Sequence, residues 1–410
     1  MIRLNFHPER GIWCEDRQSL DKLRKNFFGI ERGGKIFLYP EETLYILNFM
    51  NGVCIYKNRK MSFSDLAMFF SKEDPRVFIH YNAFRDWRDR GLIIKRIDSV
   101  QVEPKKRKKE KKYPAKSIEK VEIKAKAYWY PKSMFSIIDD KQTGKRLFQN
   151  YWFGQYGVYK QDRGDLLKLD FFETVFLAKH FGMKVINTNT GKEISWEEVF
   201  RSVVKERDYA KQHYNVYEDW RLKGYVVKTG FKFGSHFRIY FPGASPGRTG
   251  EKWIHSKHVL HVFPKEQKLL ISEWARAVRV AHSVKKTFLL AIPEMKDDDY
   301  IDYPITFVSY RRKKEKNGWV RETPKDGPRY ILADVSEEEH IGGIELASLL
   351  KKAENMGLDP ILSITDRETA ITYYVLNKIV LPGSKYIYYC LLYTSPSPRD
   401  LSTSRMPSSA

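Results

Sequence analysis

Large apolar side chains recur along this chain in blocks that occur twice. Tyr81 to Lys95 reads YNAFRDWRDRGLIIK, and Tyr214 to Lys228 reads YNVYEDWRLKGYVVK. The spacing in each predicts a helix with its Trp facing inward, a glycine that ends it, and an apolar strand. Upstream, FGIERGGKIFLYPEETLYIL from Phe28 parallels YGVYKQDRGDLLKLDFFETVFL from Tyr156. With Gly29 set against Gly157 and Glu42 against Glu173, the second copy is three residues longer. The surplus falls in VYKQDRG, a polar loop carrying Lys160 and Arg163.

A second duplication lies further on. Ile271–Ile292 (ISEWARAVRVAHSVKKTFLLAI) aligns with Ile341–Ile364 (IGGIELASLLKKAENMGLDPILSI), each an amphipathic helix followed by a buried strand. An acidic turn and another strand come after each, MKDDDYIDYPITFVSYRR in the first and TDRETAITYYVL in the second. In this register Leu358 replaces Lys286, and Gly327 stands where His255 would. The fold class expected is α/β, with duplicated N-terminal αβ modules, duplicated nuclease-like C-terminal modules and a central mixed sheet.

The predicted division is an extra, non-catalytic N-module over 1–100, a basic linker over 101–130, and a second N-module over 131–238. A catalytic C-module over 239–315 and a structural C-module over 316–388 complete it. The linker contains PKKRKKEKKYPAK, a like-charge run bounded by prolines that reads as a solvated spacer. RRKKEKNGWVRETPKDGP reads as a second polar break ahead of the last module. From 389 onward CLLYTSPSPRDLSTSRMPSSA turns Ser/Pro-rich and loses periodicity, so 389–410 reads as a non-native tail.

Composition adds a partner class. Hydrophobic residues make up 42% of the 410, enough for real cores. The net charge of +22 points to a polyanion, nucleic acid first, because each neutralised phosphate releases counterions. The plainer reading is a basic, highly soluble protein. No apolar run approaches the roughly 20 residues that a bilayer span needs, and MIRLNFHPERGIW has no signal-peptide core. Cys14, Cys54 and Cys390 have no paired spacing, which argues for a reducing cytoplasm and against structural zinc.

Three residues in the basic, Gly-punctuated stretch from Tyr214 to Lys286 suit metal-free RNA cleavage. Such chemistry needs a base for the ribose 2′-OH, an acid for the leaving 5′-oxygen and a cation for the phosphorane charge. Tyr240, His255 and Lys286 can fill these roles in that order. His is a natural acid near neutral pH. Tyr is a less natural base, with an ordinary pKa of about 10, and cations such as Lys286 and Arg238 would have to favour its phenolate. Taken singly, each residue has a plainer reading: a packing tyrosine, a surface histidine, a helix-end cation. His258 and His261 lie in HVLHVF, a strand on which an offset of three points to opposite faces, so a zinc site is not expected.

Together, GYVVKTGFKFGSHFRIY, the His of WIHSKH and AHSVKKTFLLAI resemble the tRNA-splicing endonuclease of archaea. In that family a Tyr ends the KFGxxFxxY strand, a His precedes the next strand and a Lys ends the following helix. These map to Tyr240, His255 and Lys286. The resemblance is strong over about 214–292 and weaker over most of the chain, and the module order is similar to the three-unit, homodimeric type. It implies cleavage of precursor tRNA at bulge-helix-bulge junctions without a cofactor, giving 2′,3′-cyclic phosphate and 5′-OH ends. It also implies an acidic loop docking into a basic pocket of the partner, with Asp366 and Glu368 of TDRETA in that role and Asp297–Asp299 as the competing turn. Arginines that pin a flipped nucleotide map to Arg279 and to Arg311 or Arg312; Lys160, in the lengthened loop of the second copy, is a further candidate RNA contact. Membranes and DNA are not expected as partners. The rival reading is a non-catalytic RNA-binding scaffold subunit; a metal-dependent nuclease ranks last, for want of a carboxylate cluster.

Overall fold

A computed structural model describes residues 1–103, 111–249, 252–315 and 318–394. The fold is α/β, and the duplicated blocks form as duplicated structure. Helix Val77–Asp89 leads to strand Ile94–Arg96, and helix Ala210–Leu222 leads to strand Val226–Thr229. Trp87 and Trp220 are fully buried on the inner faces of these helices. Gly91 and Gly224 come next with φ of 72° and 83°, a region that glycine enters without steric cost. Ahead of each helix sits a small mixed sheet with a parallel pair inside it. One pairs Ile2–His7 with Gly52–Tyr56, the other Lys126–Tyr130 with Lys184–Asn187.

A buried carboxylate braces each N-module. Gly29 N donates to Glu42 at 2.9 Å, and Gly154 N donates to Glu173 at 2.9 Å. Lys95 Nζ donates to the Gly29 carbonyl (2.7 Å); Lys228 Nζ donates to the Gly154 carbonyl (2.9 Å) and to Glu173 (2.7 Å). The equivalent of Gly29 is therefore Gly154, not Gly157. Glycine and glutamate lie 13 residues apart in the first copy and 19 in the second, so the insertion is six residues rather than three. Both glycines have positive φ and no room for a Cβ, which explains why the backbone fixes the match.

The C-modules share an eleven-stranded sheet whose order is equivalent from either edge. Val226–Thr229, Phe237–Tyr240, His258–Val262 and Thr287–Ile292 enter from one side. Ile94–Arg96, Phe307–Ser309, Tyr330–Ser336 and Asp359–Thr365 enter from the other. Ile387–Thr394 and Ile371–Val380 meet antiparallel in the middle. His258 pairs with Thr287 as Tyr330 pairs with Asp359, and the helices Ile271–Ser283 and Gly343–Met356 start at matching positions. Leu358 thus takes the place of Lys286, its N–H bonded to Ala353 O as that of Lys286 is bonded to Ala281 O.

Several expected boundaries change. Phe307–Ser309 pairs with Tyr330–Ser336 just as Phe237–Tyr240 pairs with His258–Val262, so FVSY opens the last module instead of closing the one before it. Tyr310 is then the counterpart of Tyr240. The boundary at 238 cuts a continuous strand. The first N-module is not a separate appendage: Phe84 and Trp87 share one core with Phe307, Tyr330 and Tyr373. Residues 1–100 and about 305–380 form an outer half, and residues 113–303 with strand Ile387–Thr394 form an inner half.

Residues 104–110 of the expected linker lie outside the described residues, but its C-terminal part is not a solvated spacer. Lys111–Lys112 pairs with Ile379–Val380, Tyr113 and Ile123 are buried, and Lys126–Tyr130 is a strand of the second N-module. The polar break before the last module contains a hairpin of Arg312–Glu315 with Gly318–Arg321. Residues 389–394 belong to a central strand with Cys390 and Leu391 buried, which corrects the expected tail there; 395–410 lie outside the described residues.

Candidate active site

Tyr240 ends strand Phe237–Tyr240, between Val226–Thr229 and His258–Val262. Its ring packs on Trp152 with centroids 4.7 Å apart. Burial raises its pKa well above the ordinary phenol range, and the nearby Arg238 charge offsets only part of this.

His255 is exposed in the short loop that leads into His258–Val262. The carbonyls on either side of it are both held by lysines. Lys160 Nζ donates to Ile254 O at 2.6 Å, and Lys286 Nζ donates to Ser256 O at 2.6 Å. Lys286 reaches that loop because the helix Ile271–Ser283 ends in a left-handed turn, with Lys285 at φ 55°. Partial burial lowers the Lys286 pKa, and the charges of Arg238, Lys160 and Lys257 lower it further.

Tyr240, His255 and Lys286 line one cavity of about 380 Å³, together with Tyr159, Lys160 and Arg238. Its charged lining is cationic, with no carboxylate among the described residues, a set that attracts a phosphodiester. Sequence reasoning missed Tyr159. Its hydroxyl accepts from Arg238 Nη1 at 2.8 Å and lies in reach of the Tyr240 hydroxyl. Burial raises its pKa, but the contact with Tyr240 and the charges of Arg238 and Lys160 outweigh this and leave it below the ordinary value. The available signal was the insertion itself, in which Tyr159 directly precedes Lys160.

Other candidates lie elsewhere. Arg279 is exposed on the outer face of its helix, away from the cavity. Arg311 pairs with Glu322 (3.2 Å), and Arg312 donates to Arg90 O (2.9 Å), both on the outer half. Asp366 caps its own turn by accepting from Glu368 N and Ala370 N, whereas Glu368 is exposed. His258 stacks on Tyr113 and His261 on His236, on opposite faces of their strand. His236 also meets His213 at 4.1 Å, and burial lowers the pKa of His213 and His261 to about 4 and of His236 to about 2.

The counterpart site in the outer half holds Tyr310, Gly327 and Leu358. Tyr310 is fully buried, its hydroxyl has no hydrogen-bond partner among the described residues, and burial pushes its pKa up to about 12. Neither an acid nor a cation stands beside it at the matching positions.

Residues 210–307 match the profile of the tRNA intron endonuclease catalytic C-terminal domain. The chain is 35% identical over 182 residues to the tRNA-splicing endonuclease of Thermococcus onnurineus, covering 43% of this chain and 96% of that one. It is 38% identical over 142 residues to that of Methanopyrus kandleri, covering 35% and 75%. With the longer tRNA-splicing endonuclease of Methanococcoides burtonii it shares 34% identity over 171 residues, 40% of this chain and 44% of the relative. The profile match spans the strand ends and helix that present Tyr240, His255 and Lys286, and the chain belongs to the tRNA-splicing endonuclease family.

Proposed function

We propose that this endonuclease cuts precursor tRNA at the intron boundaries of bulge-helix-bulge junctions, without a metal, by attack of the ribose 2′-OH. The observation that carries the reading is the convergence of Tyr240, His255 and Lys286 in one cationic cavity. Tyr240 takes the 2′-O proton and passes its own to Tyr159, whose phenolate Arg238 and Lys160 favour. The 2′-oxygen bonds to phosphorus as the bond to the 5′-oxygen breaks. His255 protonates that oxygen, and Lys286 faces the charge that builds on the phosphorane. The products are a 2′,3′-cyclic phosphate and a 5′-hydroxyl.

Two cuts at a fixed separation suit a two-fold homodimer. A cavity of about 680 Å³ lined by Lys211, Lys265, Lys296 and Lys385, with Glu266 and Glu294 also in its wall, carries a net positive lining that suits the acidic Asp366–Glu368 turn of a second copy. Arg279, with Arg311 or Arg312, would stack on a bulged base from across that dimer, and Lys160 would contact the RNA while holding the His255 loop.

The test is incubation with end-labelled bulge-helix-bulge RNA in excess EDTA. Paired cuts ending in cyclic phosphate are expected. Binding without cuts would favour the scaffold reading, and cleavage only with added magnesium would overturn the three-residue mechanism.

A further inference from the structure

The hairpin Arg312–Glu315 with Gly318–Arg321 pairs with no other sheet among the described residues. A free two-stranded hairpin is marginal in water, so something must anchor this one. Arg312 donates to Arg90 O (2.9 Å), Arg321 to Gly91 O (3.5 Å), and Glu322 N to Arg311 O (2.9 Å). The ribbon is thereby fixed to the end of helix Val77–Asp89 and projects from the outer half.

Its register places unlike residues on its two faces. Arg312 pairs with Arg321 and Lys314 with Trp319, so these four share one face. Lys313, Glu315 and Val320 share the other, where Lys313 is neutralised by Asp326 (3.0 Å) and Glu315 (3.3 Å). The first face carries no acid; of its three cations, Arg312 and Arg321 are turned to the carbonyls of Arg90 and Gly91, and Lys314 is the exposed one. Lys314 makes no ion pair or hydrogen bond among the described residues. Beside it, Trp319 is 43% exposed, so a large flat ring is left in water next to an exposed cation. The loop that holds this hairpin joins the Tyr310 strand to Tyr330–Ser336, as the loop with His255 joins the Tyr240 strand to His258–Val262. The hairpin thus lies in the connection that, in the other copy, carries His255.

We propose that the Arg312–Lys314–Trp319–Arg321 face is a second RNA-docking surface, where Trp319 stacks on an unpaired base and Lys314 meets the adjoining backbone phosphate. Aromatic stacking between cations tolerates any base, because every base has a π-face, which suits a surface that holds RNA without cutting it. This rests on the proposed function and assigns it a holding site on the half that lacks chemistry.

The test uses the full chain with His255→Ala for binding and with His255 intact for cleavage, on the same bulge-helix-bulge RNA. Trp319→Ala is expected to weaken binding about tenfold, with Trp319→Phe restoring most of it. Lys314→Ala is expected to reduce the slope of log affinity against log salt by about one. Single-turnover cleavage at saturating RNA stays at the unaltered rate in both. Unchanged affinity in Trp319→Ala, with cleavage intact, overturns the docking surface and leaves the proposed function standing. A shift in sedimentation without loss of RNA affinity also overturns it, by making the face a protein contact. Failure of the unaltered chain to bind this RNA would overturn both readings.

Discussion

The two halves of this chain share their helices, sheets and buried glutamate braces, yet the residues that line the proposed reaction cavity all lie in one of them. In the inner half Tyr240 is joined by His255, Lys286 and the inserted Tyr159–Lys160 loop. In the outer half Tyr310 holds the matching strand position, but Gly327 and the buried Leu358 leave it no acid and no cation. The shared positions are the packed ones, which dictate architecture. The differing ones are strand ends and loops, where chemistry can change while the core stays intact.

The comparison breaks most visibly at His255. His255→Ala should slow cleavage by about 10²–10⁴-fold with RNA binding nearly unchanged, whereas Gly327→Ala should leave the rate alone; rapid-quench assays decide. Next come the braces. Lys228→Met leaves Glu173 buried without its cation and should cost about 3–5 kcal/mol in urea unfolding, with a loss of cleavage, since Lys228 lies on the strand beside that of Tyr240. Lys95→Met should also destabilise but spare cleavage.

Tyr159→Phe should slow cleavage on the order of tenfold and move the alkaline limb of the pH–rate profile upward, because Tyr240 loses its proton acceptor. An unshifted profile would reduce Tyr159 to packing.

The smallest contrast concerns acid. His213 and His80 are each the fourth residue of matching helices, but their surroundings differ. His213 belongs to a stack with His236 and His261, all with pKa values lowered by burial. Unfolded histidines take up protons near 6.5, so the inner half should lose stability as pH falls from about 6.5 toward about 4. His80 instead meets Asp74 and Asp334. Burial raises the Asp334 pKa, the His80 contact outweighs this, and the net value lies below the ordinary one. That contribution is present above the ordinary carboxylate value and fades only as pH falls below it. Hydrogen exchange at pH 5 should therefore open the inner half first; equal exchange in both halves would count against the histidine stack.

Much of this was legible in sequence because it rests on local spacing. The inward Trp87 and Trp220, the helix-ending glycines and the Tyr240, His255 and Lys286 motif can all be read without long-range contacts. The features that were missed depend on pairing between distant segments. Gly157 and Gly154 are equally plausible as letters, and only the bond from a backbone N–H to Glu173 selects Gly154. FVSY comes after an acidic turn, so it read as the end of a module, but its pairing with Tyr330–Ser336 makes it a beginning. The Ser/Pro-rich letters after 394 hid the continuous apolar run of Ile387–Thr394. Tyr159 gave no signal alone, since its meaning comes from Arg238 and Tyr240, which are remote in the chain.

The lysine bonds to the carbonyls flanking His255 make the site epistatic. Lys286→Ala would remove a charge and also release Ser256 O, loosening the loop that aims the imidazole. The penalties of Lys286→Ala and His255→Ala should therefore overlap, and the double variant should be little slower than the worse single one. Genetic variation at Lys160 acts through the same loop, so its fitness effect would vanish in any background that already lacks the histidine.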